Sequence, residues 1–190
     1  MKKDLGPLLA LYPMPATVVG AESNGKVNWL MVAHVGIIGH DRLMVSMHKA
    51  HHTNQMVKDS RRLSINMVDK GMLRRADYVG CVSGAKTDKQ GVFAHHTGPG
   101  GTPVIDESPL VMECEVTGDY ETDTFDNFIC RVTHTIADEN VTDDMGKPDY
   151  NRLKPVLFDM PGYSYLRTGD VICRCTLPGR EYARETDGDN

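Results

Sequence analysis

Polar and basic side chains that could hold an anion follow an apolar run in the first third of the chain. Residues 43–47 indicate a short buried strand, and residues 53–60 a short helix with Thr53 as its N-cap. A strand that leads into a helix start presents free backbone N–H groups and the positive end of the helix dipole, and both favour an anion. An ordinary capped surface helix explains this segment equally well. The candidate anion ligands are Ser46, His48, Lys49, His51, His52 and Thr53.

The other reactive side chains define no second chemistry. Histidines cluster in residues 48–52 and again at His95 and His96, but neither cluster has the ligand number and spacing of a zinc site, so we expect no metal. The chain has no Gly-x-Ser-x-Gly elbow for a nucleophilic serine and no Gly-x-Gly-x-x-Gly fingerprint for a dinucleotide. The loop that carries His95 and His96 either faces a substrate or partner or is simply exposed.

A β-hairpin precedes the anion segment and must position it. Asn24-Gly25 is the strongest hairpin signal in the chain, and it joins strands predicted at residues 16–21 and 27–33. Gly36 and Gly39 then break the apolar run and predict a bend or a close backbone approach.

The rest of the chain alternates short strands with little helix. Strands are predicted at residues 62–68, 110–117, 128–136, 154–159, 164–167 and 171–176, helices at 72–82 and 86–93, and loops at 95–103 and 138–149. Many short strands with few helices indicate a closed or nearly closed sheet. We therefore predict one mainly β, barrel-like domain over residues 1–177. Residues 178–190 are polar and are predicted to form a mobile tail or an arm laid on a partner subunit.

Composition excludes several classes of function. The chain has 190 residues with a formal net charge of -5, which argues against nucleic acid as a partner. No segment approaches the length of a membrane span, and we interpret the apolar residues after Lys2 and Lys3 as mature sequence, not a signal peptide. The five cysteines are odd in number and have no Cys-x-x-Cys pair, so we expect apolar filler in a reducing cytoplasm.

Several of these features together resemble the flavin reductase-like, FMN-binding split-barrel family, and most closely its flavoredoxin branch. The resemblance extends to about Gly169. Its features are residues 12–20 with Pro13 and Pro15, Asn28 after Gly25, the segment 46–53, Ser83-Gly84 with Asp88-Lys89, and Tyr163 with Gly169. No single one of them is a strong motif, and their order and spacing carry the match.

This resemblance implies a split β-barrel with bound FMN. It implies that the phosphate lies on Thr53 and the strand end before it, with the flavin ring against the backbone of residues 28–33. Trp29 could instead be core, and Lys89 a solvated surface lysine. The resulting cofactor-binding set has no catalytic residue and comprises Asn28, Trp29, Leu30, Met31, Val32, Ala33, Ser46, Met47, His48, Lys49, His52, Thr53, Ser83, Gly84 and Lys89.

Three functions follow from the resemblance. The first is an electron-transfer flavoprotein that exchanges electrons with a redox partner protein. The second is an NAD(P)H-dependent flavin reductase on the same scaffold, and the third is a flavin storage or sensing module. Because split-barrel flavoproteins pair about a two-fold axis, the resemblance also implies a homodimer. From the net charge and the lack of a long apolar segment we expect no nucleic-acid or membrane partner.

Overall fold

The protein is described here by a computed structural model that covers residues 1–187. The strands are β1 (Met14–Pro15), β2 (Thr17–Ser23), β3 (Lys26–Val32), β4 (Val35–Ile37), β5 (Arg42–His48), β6 (Arg62–Met67), β7 (His95–Thr97), β8 (Pro103–Ile105), β9 (Leu110–Glu121), β10 (Phe125–Ala137), β11 (Val156–Asp159) and β12 (Ser164–Arg167). The helices are α1 (His52–Ser60), α2 (Leu73–Cys81), α3 (Tyr150–Leu153) and α4 (Leu177–Asp187), with single 3-10 turns at Gln90–Val92 and Glu139–Val141.

The main sheet has seven antiparallel strands in the order β3-β2-β6-β9-β10-β5-β4. Register shifts at Ile129/Cys130 and Val132/His134 place β-bulges in the pair β9–β10. Bulges bend a strand and increase its twist, so they help the sheet to curl into a half-barrel. Its concave core contains buried side chains from most of the strands: Val19, Leu30, Val45, Ile65, Cys114 and Phe128. The mainly β split-barrel fold predicted from the sequence is confirmed.

The first hairpin forms where the sequence predicts it. Asn24 and Gly25 both have positive φ, 53° and 73°, as a two-residue turn of this kind requires. Next to it, a Cβ at Gly20 would overlap the ring of Trp29, so glycine lets the indole lie across β2. Trp29 is fully buried and packs edge-on against Phe93 at a centroid distance of 5.8 Å.

A small second sheet, in the order β1-β11-β12, closes one side of the barrel. Phe158 on β11 and Tyr165 on β12 pack with their ring centroids 5.6 Å apart. The Tyr165 hydroxyl donates to Asp77 on α2 at 2.5 Å, which links the β11–β12 hairpin to that helix. Burial, reinforced by Asp77, raises the pKa of Tyr165, so the hydroxyl stays protonated and keeps donating.

The glycine-rich loop between β7 and β8 closes around the fully buried side chain of Glu113. Gly100 N–H donates to Glu113 Oε2 at 2.9 Å, and the Thr102 hydroxyl and N–H donate to Oε1 at 2.8 and 3.2 Å. A Cβ at Gly98 would lie 2.6 Å from Glu113 Cδ, and one at Gly100 would lie 3.0 Å from it. The two glycines therefore permit the close approach that fixes the β7–β8 hairpin to β9.

Three sequence-based predictions of secondary structure were wrong. The loop predicted at residues 95–103 contains strands β7 and β8 at its two ends. The helix predicted at residues 86–93 is only the 3-10 turn at its end, and residues 171–176 form no strand. Residues 177–187 form helix α4. The role of residues 178–190 as a mobile tail or an arm on a partner subunit stays a prediction, and residues 188–190 lie outside the described residues. No helix among residues 1–187 is both long and apolar enough to cross a membrane.

Candidate functional site

Three adjoining cavities run along the outside of β3 between helix α1 and the segment that follows α2. The apolar cavity, of about 280 Å³, is lined by Leu30, Met31, Val32, Ala33, His34, Ser46, Met47, His48, His51, Phe125, Phe158 and Met160. The anion cavity, of about 190 Å³, is lined by Leu30, Ala50, His51, His52, Thr53, Gly80, Cys81, Val82, Ser83, Gly84 and Lys89. The outer cavity, of about 450 Å³, shares His52, Gly84 and Lys89 with it and adds Asn28. Neighbouring cavities share lining residues, and the three together are called the trough below.

Helix α1 begins in the anion cavity. Its N-cap is His51, which has extended backbone angles (φ -77°, ψ 129°) and makes no side-chain cap hydrogen bond. Thr53 was predicted as the N-cap and is instead the second helical residue, because His51 already takes the extended conformation that an N-cap needs. Within residues 1–187 the N–H groups of His52 and Thr53 have no hydrogen-bond acceptor, so both remain available to an anion.

The hydroxyl of Thr53 is oriented by a buried partner on β3. Asn28 Nδ2 donates to Thr53 Oγ1 at 2.7 Å, and both side chains are buried. Since the oxygen accepts this bond, the hydroxyl hydrogen is left to point elsewhere. A Cβ at Gly84 would lie 2.5 Å from Asn28 Oδ1, so glycine at 84 makes room for the Asn28 amide.

Lys89 supplies a buried cation on the opposite wall of the anion cavity. Its Nζ donates to the backbone oxygens of Val79 and Val82, at 2.9 and 3.2 Å, where helix α2 ends. In the described part of the chain it has no carboxylate partner, and burial lowers the pKa of Lys89 to about 8. An ammonium group has three hydrogens, so one of them remains for a ligand in the cavity.

Two groups near helix α1 have shifted pKa values: His51, which lines both the apolar and the anion cavity, and Asp126, which lines neither. Burial, and then the nearby His48 and Lys89, lower the pKa of His51, so this ring is neutral at pH 7. Asp126 Oδ2 accepts from Asn54 at 2.6 Å and Asp126 Oδ1 from Lys58 at 2.9 Å, which pins α1 to β10. Burial opposes ionisation of Asp126, but these two hydrogen bonds and the positive charges of Lys58 and Lys49 together outweigh it and lower its pKa.

The predicted site residues are brought together with two exceptions. All of them except Trp29 and Lys49 line one of the three cavities. The Trp29 side chain lies in the core beside Phe93, so only its backbone runs along the trough. Lys49 is exposed and pairs with Glu121 at 3.1 Å. Whether each lining residue contacts a ligand stays a prediction.

Sequence reasoning missed the residues that close the apolar cavity. Phe125, Phe158 and Met160 line it, and the hydroxyl of Tyr12 lies 2.7 Å from His34 Nε2 at its rim. These residues come from segments far apart in the chain, and no local pattern marks them. The pairing of β1 with β11, in which Met14 lies opposite Phe158, holds the last of these segments against the barrel.

The trough suits a ligand with a flat apolar part and one anionic end. Free N–H groups, a hydroxyl and an ammonium group converge in the anion cavity, and no carboxylate lines it. Aromatic, thioether and strand-backbone atoms line the apolar cavity. Among the residues that the structure describes, no group of three His, Cys, Asp or Glu side chains is arranged to hold a metal ion.

Comparisons with known proteins agree with this geometry. A family model described as the flavin reductase like domain matches residues 9–166. The crystal structure of flavoredoxin from Methanosarcina acetivorans is 31% identical, covers 96% of this chain and 99% of its own, and superposes with a TM-score of 0.90. Flavoredoxin of Desulfovibrio vulgaris (Miyazaki F) is 28% identical over 94% of this chain and 100% of its own, with a TM-score of 0.86.

A more distant structure shares the fold. An FMN-binding protein from Thermus thermophilus, solved with bound 1-cyclohex-2-enone, is 23% identical over 92% of this chain and 99% of its own, with a TM-score of 0.77. No curated protein matches the chain.

Proposed function

The chain belongs to the flavin reductase-like domain family, and from that premise we propose that it is an FMN-binding electron-transfer protein of the flavoredoxin type. Family membership supports a flavin-related function and a flavin ligand, and the two similar flavoredoxins support the narrower role. The observation that supports FMN as the cofactor is the anion cavity. One helix start and one ammonium group without a carboxylate partner open into it, beside an apolar cavity. FMN has one phosphate, whereas FAD has a pyrophosphate and an adenosine to place.

Different residues of the trough would bind the phosphate and the ring of the cofactor. The N–H groups of His52 and Thr53, the Thr53 hydroxyl and Lys89 would hold the phosphate. The backbone of residues 30–33 would line one side of the ring, while Phe158 of the β11–β12 hairpin would shield it from water. Bound FMN supplies the capacity to accept and release electrons, and this chain supplies binding, orientation and electrostatics.

The alternative function is an NAD(P)H-dependent flavin reductase on the same scaffold. The family description favours it, and so does the pair Tyr12–His34, which places polar groups at the rim of an otherwise apolar cavity. Both functions use the same trough and differ in the source of electrons.

Anaerobic reduction of the purified yellow protein separates the two functions. We expect NADH and NADPH to leave the flavin oxidised over minutes while a reduced protein donor bleaches it. Rapid bleaching by either nucleotide would overturn the carrier in favour of the reductase. Mass analysis of the released cofactor should give FMN, and FAD would contradict the single-phosphate argument.

A homodimer is part of the proposal. The N-terminal segment leaves Leu5, Leu8, Leu9 and Leu11 more than half exposed in one copy of the chain, and residues 177–185 of helix α4 are exposed. A second copy would cover such surfaces. Light scattering that gave a mass near 21.0 kDa with flavin bound would contradict the dimer. Truncation after Leu177 tests the arm separately: unchanged dimerisation and flavin affinity would reduce it to a tail.

A further inference from the structure

A basic groove of about 850 Å³ lies beside the trough and has no part in the function proposed so far. Its cations are Lys70, Lys154 and Arg167, and its apolar lining includes Val156, Tyr165 and Leu166. Asp170 is its one acidic lining residue. Lys70, Lys154 and Arg167 are all exposed, and none of them forms an ion pair with any residue in the described range 1–187.

The charge of the groove runs against the charge of the molecule. The chain has a formal net charge of -5, yet three unpaired cations face one carboxylate here. Another surface groove of comparable size, about 640 Å³, has the opposite balance, with Glu22 and Asp59 beside Arg62. The basic groove is therefore a local feature, and its field attracts negatively charged surfaces.

The groove is one hairpin away from the apolar cavity. Val156 and Tyr165 belong to the β11–β12 hairpin and line the groove, while Phe158 of the same hairpin lines the apolar cavity. The rings of Phe158 and Tyr165 are in contact, with centroids 5.6 Å apart. A protein docked in the groove would therefore sit close to the flavin ring.

We propose that the basic groove docks the acidic surface of the redox partner protein, a proposal that rests on the electron-transfer function above. Exposed apolar side chains flank the cations: Leu166, Val171 and Ile172 are 41%, 67% and 98% exposed. A charged rim around apolar side chains is the anatomy of a protein–protein interface. A small anion would instead need buried donors, as in the anion cavity. Because the cations are exposed, they act mainly on the rate of encounter.

The test measures flavin reduction by a small, acidic [2Fe–2S] ferredoxin in stopped-flow experiments on the full, FMN-loaded chain. In each encounter the reduced iron–sulfur cluster loses one electron and the flavin gains it. The variant is the triple reversal Lys70→Glu/Lys154→Glu/Arg167→Glu. The control, Lys2→Glu/Lys3→Glu/Arg62→Glu, makes the same change in net charge outside the groove. Dithionite, a small reductant, reports whether the flavin remains reducible.

In the unmodified protein we expect the ferredoxin rate to fall as salt is raised. At low salt this rate should be about tenfold or more slower in the groove variant, which is the size of effect that electrostatic steering has on association rates. It should also lose most of the salt dependence, while the control loses far less and dithionite reduces all three proteins alike. Reduction of a basic c-type cytochrome by the reduced groove variant should be faster than by the unmodified protein.

Three outcomes would overturn the docking proposal. Equal losses in the groove variant and the control would assign the effect to net charge alone. A change from dimer to monomer in the groove variant would make the groove a contact between copies. Inhibition by submillimolar pyrophosphate at constant ionic strength would make it a small-anion site.

A binding measurement separates this inference from the function on which it rests. Calorimetry with oxidised ferredoxin at low salt detects docking without electron transfer. If the unmodified protein binds ferredoxin but its flavin is not reduced, and the groove variant does not bind, the carrier function is contradicted while the docking proposal is supported. If the groove variant is reduced by ferredoxin as fast as the unmodified protein, the docking proposal is contradicted while the carrier function is supported.

Discussion

Two buried polar side chains, Glu113 and Lys89, have been satisfied in opposite ways, and the contrast separates a structural site from a ligand site. Three protein donors in the loop between β7 and β8 surround the Glu113 carboxyl group, and two glycines let that loop close. The Lys89 ammonium group meets two backbone oxygens and then opens into a cavity with no carboxylate lining. A buried polar group needs partners, so the incomplete set at Lys89 indicates a missing ligand, and the complete set at Glu113 does not.

The largest expected effect is the loss of stability when the structural site around Glu113 is disrupted. Glu113→Ala leaves three donors without an acceptor, and each buried unsatisfied group costs about 1–3 kcal/mol, so we expect about 3 kcal/mol or more of lost unfolding free energy. Urea unfolding measures this, and Glu113→Gln, which keeps the shape and one oxygen, should lose less. Flavin affinity of the folded fraction should be unchanged. Weaker flavin binding by folded Glu113→Ala protein would erase the distinction between the two sites.

The second largest expected effect is the loss of FMN affinity when the ligand site around Lys89 is disrupted. Lys89→Met should weaken FMN binding about a hundredfold, because it removes a charge-assisted hydrogen bond to the phosphate. Stability without cofactor should change little, because removal of a buried cation offsets the loss of its two hydrogen bonds to the Val79 and Val82 oxygens. Fluorescence titration gives the affinity, and the exposed Lys86→Met, in the outer cavity, is the matched control. A large loss of stability with unchanged affinity would make Lys89 a second structural site.

Thr53→Ala should weaken FMN binding ten- to a hundredfold, since one hydrogen bond to a charged group contributes about 1.5–3 kcal/mol. Thr53→Ser retains the hydroxyl that Asn28 orients, so it should bind nearly as well as the unmodified protein. Calorimetric titration of the folded variants checks both. An unchanged dissociation constant in Thr53→Ala would remove this residue from the phosphate site.

The smallest expected effect is a pH dependence of FMN affinity that comes from Lys89 in the ligand site. The pKa of Lys89 is about 8 in the empty protein, and a bound phosphate would raise it by favouring the protonated form. Binding at and above pH 8 therefore requires uptake of a proton, so affinity is full only well below pH 8 and falls as the pH rises through 8. Between pH 7.5 and 9 we expect a loss of about five- to tenfold. A titration series in Lys89→Met should be flat over this range, and a parallel decline there would assign the effect to another group.

Local signals made most of the barrel predictable. Asn24-Gly25 specified the first hairpin, and alternation in residues 62–68 specified β6, because turn chemistry and strand periodicity depend on neighbours in sequence. The N-cap of α1 was predicted two residues late, at Thr53, because threonine is a strong N-cap signal in the sequence, whereas His51 caps the helix only through its extended backbone.

The parts that failed depend on contacts between distant segments. Nothing local shows that residues 98–102 wrap Glu113, so the glycines there predicted only a loop. Trp29 lies on a strand that borders the trough, yet it packs into the core because Gly20 and Phe93 leave a space for it there. The closing residues Phe158 and Met160 arrive through pairing of β11 with β1.

The burial of Trp29 gives the protein an optical probe of its own occupancy. It is the only tryptophan in the chain, and it lies on β3 between Asn28 and Leu30, whose side chains line the trough. Indole emission overlaps the near-ultraviolet absorption of an oxidised flavin, so a flavin beside β3 would quench it by resonance energy transfer. Because the indole is shielded from solvent, its emission wavelength would stay constant while its intensity follows the bound fraction. Unfolding would shift the wavelength instead, so the same residue distinguishes loss of cofactor from loss of structure.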